Sequence, residues 1–339
     1  MSETIQAPRG FYSLAEVPAG FGPSAAVIGN FDGVHRGHAQ VLAAVTAEAR
    51  RNGWRSIAIT FDPHPEQFLR PQNCPQLLTP MPERLRLMAA TGIDAVLVLP
   101  FDDSLACLTP REFVETILVE KLQVRSIHEG ANFRFGHRAQ AGVAELAEFG
   151  RQLPAESGFS VTVHPAVQVH GLAVSSTAVR DLIAAGDVRR ARWMLGHTFT
   201  VRSTPARGRG IGGRLLVPTV NLASYSNLLP AFGVYVTRLT ISGSEGDRCF
   251  QSITNVGNRP TFGEPSFAVE SHILNFEPVD LTEKTPLELE FLLRLRPEIA
   301  WPSPEALKAQ IMKDIGRAKR FHRLADTAKS KTVASETNS

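Results

Sequence analysis

At about 150 residues per domain, a chain of 339 residues corresponds to two domains, each long enough to bury its own core. With 43% hydrophobic and 20% charged residues, the composition is that of a globular protein and excludes disorder as the main state. Lys and Arg (36) exceed Asp and Glu (33) by only three charges, mixed along the same segments, which gives no ground for inferring a basic face for nucleic acid or an anionic membrane.

The first half alternates short apolar runs with amphipathic segments, the pattern of a parallel sheet covered by helices. Residues 25–31 read as a buried strand. Residues 39–51 carry Val41, Leu42, Val45 and Ala49 at helical spacing, and Gly53 stands where a left-handed cap would end that helix. A strand at 57–61, a helix at 82–90 stopped by Gly92, and a strand at 95–99 follow. Thr109-Pro110-Arg111-Glu112 is a capping box with proline at the first helical position, opening a helix that runs to about residue 122. Segments 124–127 (strand), 143–149 (helix) and 160–163 (strand) complete a doubly wound α/β domain. Past Gly186 the period changes. Strand-like runs at 199–201, 215–217, 234–239, 250–253, 269–276 and 287–295, separated by Gly- and Pro-rich turns, predict a small antiparallel β-barrel. Ser303-Pro304-Glu305 caps a closing helix carrying Leu307, Ile311 and Ile315. The expected division is 1–186 and 187–326, with a polar, disordered tail at 327–339.

Chemistry concentrates where strands hand over to helices, the ligand edge of a parallel sheet. Gly29-Asn30-Phe31-Asp32-Gly33-Val34-His35-Arg36-Gly37-His38 joins the first strand to the first helix. Free N–H groups at the helix start favour phosphate, the glycines allow close approach, and His35 and His38 can donate to phosphoryl oxygens. As a metal pair these histidines lack the usual helical spacing and a third ligand, so phosphate is the better partner. Thr60-Phe61-Asp62-Pro63-His64-Pro65 puts His64 at the same edge. Ser175-Ser176-Thr177-Ala178-Val179-Arg180 opens a helix: one hydroxyl serves as its N-cap, and the others with Arg180 suit a triphosphate. The loop Gly130-Ala131-Asn132-Phe133-Arg134-Phe135-Gly136 offers Asn132 and Arg134, its phenylalanines reading as packing residues.

The chain has no G-x-x-x-x-G-K-[ST], which excludes a P-loop kinase. Gly208-Arg209-Gly210-Ile211-Gly212-Gly213 matches G-x-G-x-x-G, but Arg214 onward continues as strand, so the run is either a flexible hairpin or a mobile loop over phosphates with Arg207 or Arg209. Pro218-Thr219-Val220-Asn221 puts a hydroxyl and an amide on one strand face, where both can reach a metal ion held by phosphates. Glu270, inside a strand, reads as a general base pointing into the barrel mouth or as an ordinary strand glutamate. Cys74, Cys107 and Cys249 have no paired spacing, which suits a reducing, cytoplasmic setting. The N-terminus lacks a signal pattern, and no apolar run approaches the ~20 residues of a membrane span.

Taken in order, these segments resemble the bacterial bifunctional riboflavin kinase/FAD synthetases over about residues 27–318. The G-N-F-D-G-V-H-x-G-H run at 29–38, the T-F-D-P-H-P run at 60–65 and the S-S-T-x-x-R run at 175–180 match that family's FMN adenylyltransferase domain. Residues 218–221 resemble its P-T-x-N magnesium motif, 255–262 its N-x-G-x-R-P-T-F turn, and 270–274 the strand bearing its kinase glutamate. The resemblance implies a Rossmann-like nucleotidyltransferase domain before a riboflavin-kinase-like barrel. The barrel phosphorylates riboflavin with ATP to FMN, and the first domain adenylylates FMN to FAD with release of pyrophosphate. It implies catalytic roles for His35, His38, His64, Arg180 and Glu270, with Thr219 and Asn221 on Mg²⁺. ATP or flavin is then bound by Gly29, Asn30, Phe31, Asp32, Gly33, Asn132, Ser175, Ser176, Thr177, Gly208, Arg209 and Gly210. The partners implied are riboflavin, FMN and ATP, with no nucleic acid or membrane, on a monomer or weak homo-oligomer. Asn132 stands where many members have aspartate. Two departures fall in the second domain: Gly213-Arg214-Leu215-Leu216-Val217 lengthens the approach to Pro218, and Leu281-Thr282-Glu283 replaces the usual L-Y-G. They leave open an FAD synthetase with an impaired kinase, or a non-catalytic flavin-binding regulator.

Overall fold

The structure, a computed structural model, describes residues 8–206, 213–215, 219–243, 246–259 and 266–336. Two compact units divide after Ala178.

The first unit contains, in chain order, β1 (Arg9–Phe11), β2 (Ser24–Ile28), α1 (Arg36–Asn52), β3 (Arg55–Asp62), α2 (Pro65–Leu69), α3 (Met81–Ala89), β4 (Ala95–Pro100), α4 (Asp103–Ala106) and α5 (Pro110–Glu112), which continues in wide π-type turns over Phe113–Lys121. Then come β5 (Val124–Gly130), β6 (Arg134–Phe135), β7 (Ala141–Gly142), α6 (Val143–Gln152), β8 (Ser160–His164), β9 (Gln168–Val169), β10 (Leu172–Ala173) and α7 (Ser176–Ala184), whose first turn closes the unit. Six strands pair in parallel in the order β1-β4-β3-β2-β5-β8. The central strands β2 to β5 are buried on both faces, which is why they read as continuous apolar runs. Ala26 and Ile28 of β2 pack in one layer with Ile117 and Leu118, whereas Ala25 and Val27 pack in the other with Leu42 and Val45 of α1. The predicted capping box is present, Thr109 and Glu112 each bonding the other's backbone N–H. Gly53 ends α1 at φ 67°, its N–H directed to the carbonyls of Ala49 and Arg50.

The first strand stops three residues earlier than the sequence pattern suggests. Phe31 (φ 49°) and Val34 (φ 37°) both adopt left-handed backbone, costly for a β-branched valine, and their side chains are buried beside α1. Burial therefore extended the apolar run past the end of the strand.

In the second unit, α7 completes its course and is followed by α8 (Val188–Leu195), β11 (Thr200–Ser203), β12 (Gly213–Leu215), β13 (Thr219–Asn221), β14 (Gly233–Gly243), β15 (Gly246–Arg259), β16 (Ser266–Ile273), β17 (Val279–Leu281), β18 (Leu287–Pro297) and α9 (Pro304–Glu336). The main sheet is antiparallel in the order β11-β18-β14-β15-β16-β13. An antiparallel bridge between Pro205 and Leu222, extending its two edge strands, closes the sheet on itself as a small barrel. Tyr235, Thr237 and Leu239 of β14 face inward, where Tyr235 meets the Phe291 ring edge-to-face and Thr237 shares hydroxyl bonds with Ser252 and Thr254. The alternate residues Val234 and Val236 face outward against Ala318 and Ile315 of α9. That helix continues to Glu336, whereas the sequence reading expected a disordered tail from Thr327. No Gly or Pro interrupts 327–336, and its Ala and Lys residues are good helix formers. Among the described residues, no helix is long and apolar enough to cross a membrane.

Candidate active sites

The turn at residues 29–38 is built around two histidines. His35 caps the N-terminus of α1: its Nδ1 accepts the backbone N–H of His38 at 3.2 Å, which leaves the ring proton on Nε2. The His38 ring stacks on His35 with centroids 3.7 Å apart and meets the Phe31 ring edge-to-face at 5.2 Å. Burial is the main cause that pulls His35 down to about 4, with its own backbone and Asp32 acting in opposition. Burial also holds His38 well below the usual imidazole range, reinforced by the charges of His35 and Arg84. Both rings are therefore neutral hydrogen-bonding groups at pH 7. His64 repeats the device: it caps α2, its Nδ1 accepting the Glu66 N–H at 3.1 Å, so its Nε2 also carries the proton.

Asp32 fixes the loop that faces this turn. Its carboxylate accepts the N–H groups of Leu78 and Thr79 at 3.0 Å and lies 4.0 Å from the guanidinium of Arg84. Gly33 N–H donates to the Thr79 hydroxyl. Arg84, only 1% exposed, sends Nη2 to the Thr79 carbonyl; burial lowers its pKa, and the charges of Asp32 and Asp62 oppose that shift. Two polar atoms here are buried without a protein partner, His38 Nδ1 and Arg84 Nε. Such orphans in a native fold mark a place where a ligand, water or ion completes the bonding.

The serine-rich segment behaves as expected in part. Ser175 accepts the Ala178 N–H and caps α7, while Ser176 donates to the Asp32 carbonyl at 2.9 Å, tying the start of α7 to the histidine turn. Thr177 is exposed, and Arg180 sits half-buried one turn into α7. In the 130–136 loop Asn132 is exposed. Arg134 instead folds back onto the carbonyls of Ala139 and Gln140, and Phe133 and Phe135 pack on the core, as their type suggested. Asn30 and Gly29 lie at the mouth of the turn, the Asn30 carbonyl accepting from Thr60 and the Gly29 N–H donating to Ile59.

The second constellation lies on the barrel. β13 and β16 pair so that Asn221 stands opposite Glu270 and Thr219 opposite His272. On the other side of β16, Asn255 of β15 is opposite Glu270. Directly opposed residues share a face, so these five side chains lie together, and Thr219, Asn255, Glu270 and His272 line a cavity of about 510 Å³ whose far wall includes Trp301, Leu307 and Ile311. This corrects the expected placement of Glu270. Its neighbours Val269 and Ser271 take the buried inner positions, so strand alternation puts Glu270 on the outer face, under the start of α9, rather than in the barrel mouth. The Thr219 hydroxyl is 3.3 Å from Nδ1 of His272. Burial and the charge of Lys319 lower the His272 pKa, so its Nδ1 can accept the hydroxyl proton and leave the threonine oxygen lone pairs for a cation. A hydroxyl and an amide suit Mg²⁺, a hard ion that takes few protein oxygens and completes its shell with phosphate and water. The glycine run with Arg207, Gly208, Arg209 and Gly210, Pro218, and the 260–262 part of the Arg-Pro-Thr-Phe turn lie outside the described residues.

Comparison with known proteins follows the same division. The FAD synthetase family model matches residues 19–178, and the riboflavin kinase family model matches residues 195–322. A bifunctional riboflavin kinase/FMN adenylyltransferase from Pseudomonas fluorescens is 34% identical over 93% of this chain and 97% of its own length. The chain belongs to the bifunctional riboflavin kinase/FMN adenylyltransferase family. The Escherichia coli K12 member is 31% identical over 94% of this chain and 99% of its own. A solved structure titled as a macrolide-efflux protein from Streptococcus pneumoniae has the same fold, with a TM-score of 0.79 at 24% identity over 93% of this chain and 99% of that one.

Thr79 and Arg84 lie outside every sequence motif, whereas Asn255 and His272 lie inside two of them without a role of their own there. Arg84 precedes Met88 by one helical turn, and both lie on the buried face of α3, so the signal was an arginine on an apolar stripe. His272 follows Glu270 by two in a strand and so had to share its face. The departure at residues 281–283 falls where β17 ends, in a turn closed by Thr285 bonding to Thr282.

Proposed function

We propose that this chain makes FAD from riboflavin in two ATP-dependent steps, phosphorylation on the segment 187–326 and adenylylation on the segment 1–186. The observation that carries the first step is the pairing of Glu270 with Asn221 across β13 and β16, beside a cavity large enough for a ring system. The Glu270 carboxylate takes the proton of the ribityl 5′-hydroxyl as that oxygen bonds the γ-phosphorus of ATP, and the bond to the β-phosphate oxygen breaks to release ADP. Thr219 and Asn221 would hold Mg²⁺, which when bound neutralises charge on the ATP phosphates. Trp301, Leu307 and Ile311 supply the apolar wall for the flavin ring.

In the second step an FMN phosphate oxygen bonds the α-phosphorus of ATP, and the bond to the β-phosphate breaks to release pyrophosphate. The nucleophile is already an anion, so no base is required. The Nε2–H groups of His35 and His64, together with His38 and Arg180, bind the phosphates and stabilise the charge that develops on them. Gly29 and Asn30 at the turn, Asn132, and the Ser175, Ser176 and Thr177 segment border the nucleotide and flavin. Phe31, Asp32 and Gly33 form the frame behind them. Gly208, Arg209 and Gly210 complete the kinase phosphate site in this reading.

None of the three cysteines is in a disulfide, which supports a reducing, cytoplasmic setting. In this reading the protein is a monomer or weak homo-oligomer acting on riboflavin, FMN and ATP rather than on nucleic acid, in keeping with a net charge of only +3. Supplying FMN and ATP to the purified protein tests the adenylyl step alone, with FAD and pyrophosphate as the expected products.

A further inference from the structure

Strand pairing at the ligand edge of the first sheet is uneven. β2 stays bonded to β3 as far as Ile28 opposite Ile59, and β5 stays bonded to β8 as far as Gly130 opposite His164. Between β2 and β5 the ladder ends sooner, at Ala26 opposite Ile127. Successive N–H groups of a strand point to alternate neighbours, and the Gly29 N–H goes to the Ile59 carbonyl of β3, so the Ile28 N–H faces β5. It donates not to a strand carbonyl but to Oε1 of Glu129, at 2.8 Å.

This is the place where the strand order reverses. From β2 the chain proceeds to β3 and β4 on one side, then crosses to β5 and β8 on the other. Ligands of open α/β sheets bind in the crevice at such a reversal. β2 runs into the histidine turn at 29–38, and β5 runs into the 130–136 loop. Glu129 is 4% exposed, and burial pushes its carboxyl well up, partly opposed by the N–H groups of Ile28 and Gly130. Ile127, on the same face of β5, is an ordinary core residue. Stability alone favours an apolar residue at 129 as well, because a buried carboxyl group is costly.

We propose that Glu129 is a positioning residue of the adenylyl-transfer site: its carboxyl group bridges β2 and β5 and sets the width of the crevice between the 29–38 turn and the 130–136 loop. The proposal rests on reading that crevice as the FMN and ATP site. A misplacement of about 1 Å in such a site costs up to about 100-fold in rate, so the bridge acts on catalysis without touching substrate.

The test uses the full chain with Glu129→Gln, Glu129→Asp and Glu129→Leu. Glutamine keeps the acceptor oxygen at the same reach and restores function, with kcat/KM for FMN adenylylation within about threefold of the parent. Aspartate is one methylene short and leucine has no acceptor. Each raises KM for FMN or ATP about tenfold or more and speeds hydrogen exchange at the Ile28 amide, while riboflavin phosphorylation is unchanged. Should leucine fail to fold, aspartate carries the comparison. Parental KM values in the aspartate variant, or a glutamine variant as impaired as it, would overturn the proposal. If the parent protein itself forms no FAD from FMN, the functional reading fails instead, whatever Glu129 does.

Discussion

The rings of His35 and His38 lie stacked, 3.7 Å between centroids and 14° between planes, while Nδ1 of His35 accepts the backbone N–H of His38. Two protonated imidazoles at that distance would repel each other, so the stack and the cap hold the pair neutral. The hydrogen bond between them decides which nitrogen of His35 donates outward.

His38→Ala removes a group in contact with His35 and Phe31 in the adenylyl site and lowers FAD formation from FMN by at least about 100-fold. Riboflavin phosphorylation on the same preparation stays at the parental rate. Equal loss of both activities would show a folding defect rather than a site effect.

Asp32 is predicted to matter for stability as much as for chemistry. Asp32→Ala strips the Leu78 and Thr79 N–H groups of their acceptor and leaves Arg84 buried near one charge fewer, which destabilises the first unit by about 3 kcal/mol. Because the loss comes from an uncompensated charge, Asp32→Ala with Arg84→Met is less destabilised than Asp32→Ala alone. Urea unfolding of both variants checks the sign of that coupling.

Acid sensitivity follows from His35. Its pKa is 6.5 when unfolded and about 4 when folded, so below pH 6.5 the unfolded chain binds a proton that the folded chain refuses. The stability this group contributes is full above pH 6.5 and falls as pH drops toward 4, on the order of 2 kcal/mol between pH 7 and pH 5. His35→Asn keeps an N-cap acceptor and removes the titration. The difference in melting temperature between pH 7 and pH 5 is therefore smaller in that variant than in the parent.

Both architectures were legible from period alone, because the β2 to β5 strands are buried on two faces and the barrel strands alternate. What escaped was whatever depended on contacts far apart in sequence. Thr79 and Arg84 reach the histidine turn only because Asp32 accepts their loop across more than 40 residues of chain. Strand spacing marks Glu270 as a strand glutamate but not as the residue opposite Asn221. Its side of the sheet was misjudged, because sequence spacing says which residues share a face but not which face lies inside a barrel. Glu129 lies past the strand legible at 124–127 and before the motif loop, and only the early end of the β2 to β5 ladder gives it a task.

For the barrel, Glu270→Gln lowers the rate of riboflavin phosphorylation by about 10²- to 10⁴-fold, the usual worth of a general base, and leaves FMN adenylylation unchanged. Asn221→Ala raises the Mg²⁺ concentration needed for half-maximal phosphorylation. An Mg²⁺ titration of the two activities side by side separates that effect from a general loss.

One chain is expected to carry both steps. Incubating the purified protein with riboflavin, excess ATP and Mg²⁺, and following the flavins by chromatography over time, tests it most directly. FMN is expected to rise first and then to be converted to FAD. FAD formed from supplied FMN but not from riboflavin would contradict the kinase assignment, and no flavin product from either substrate would contradict the whole reading.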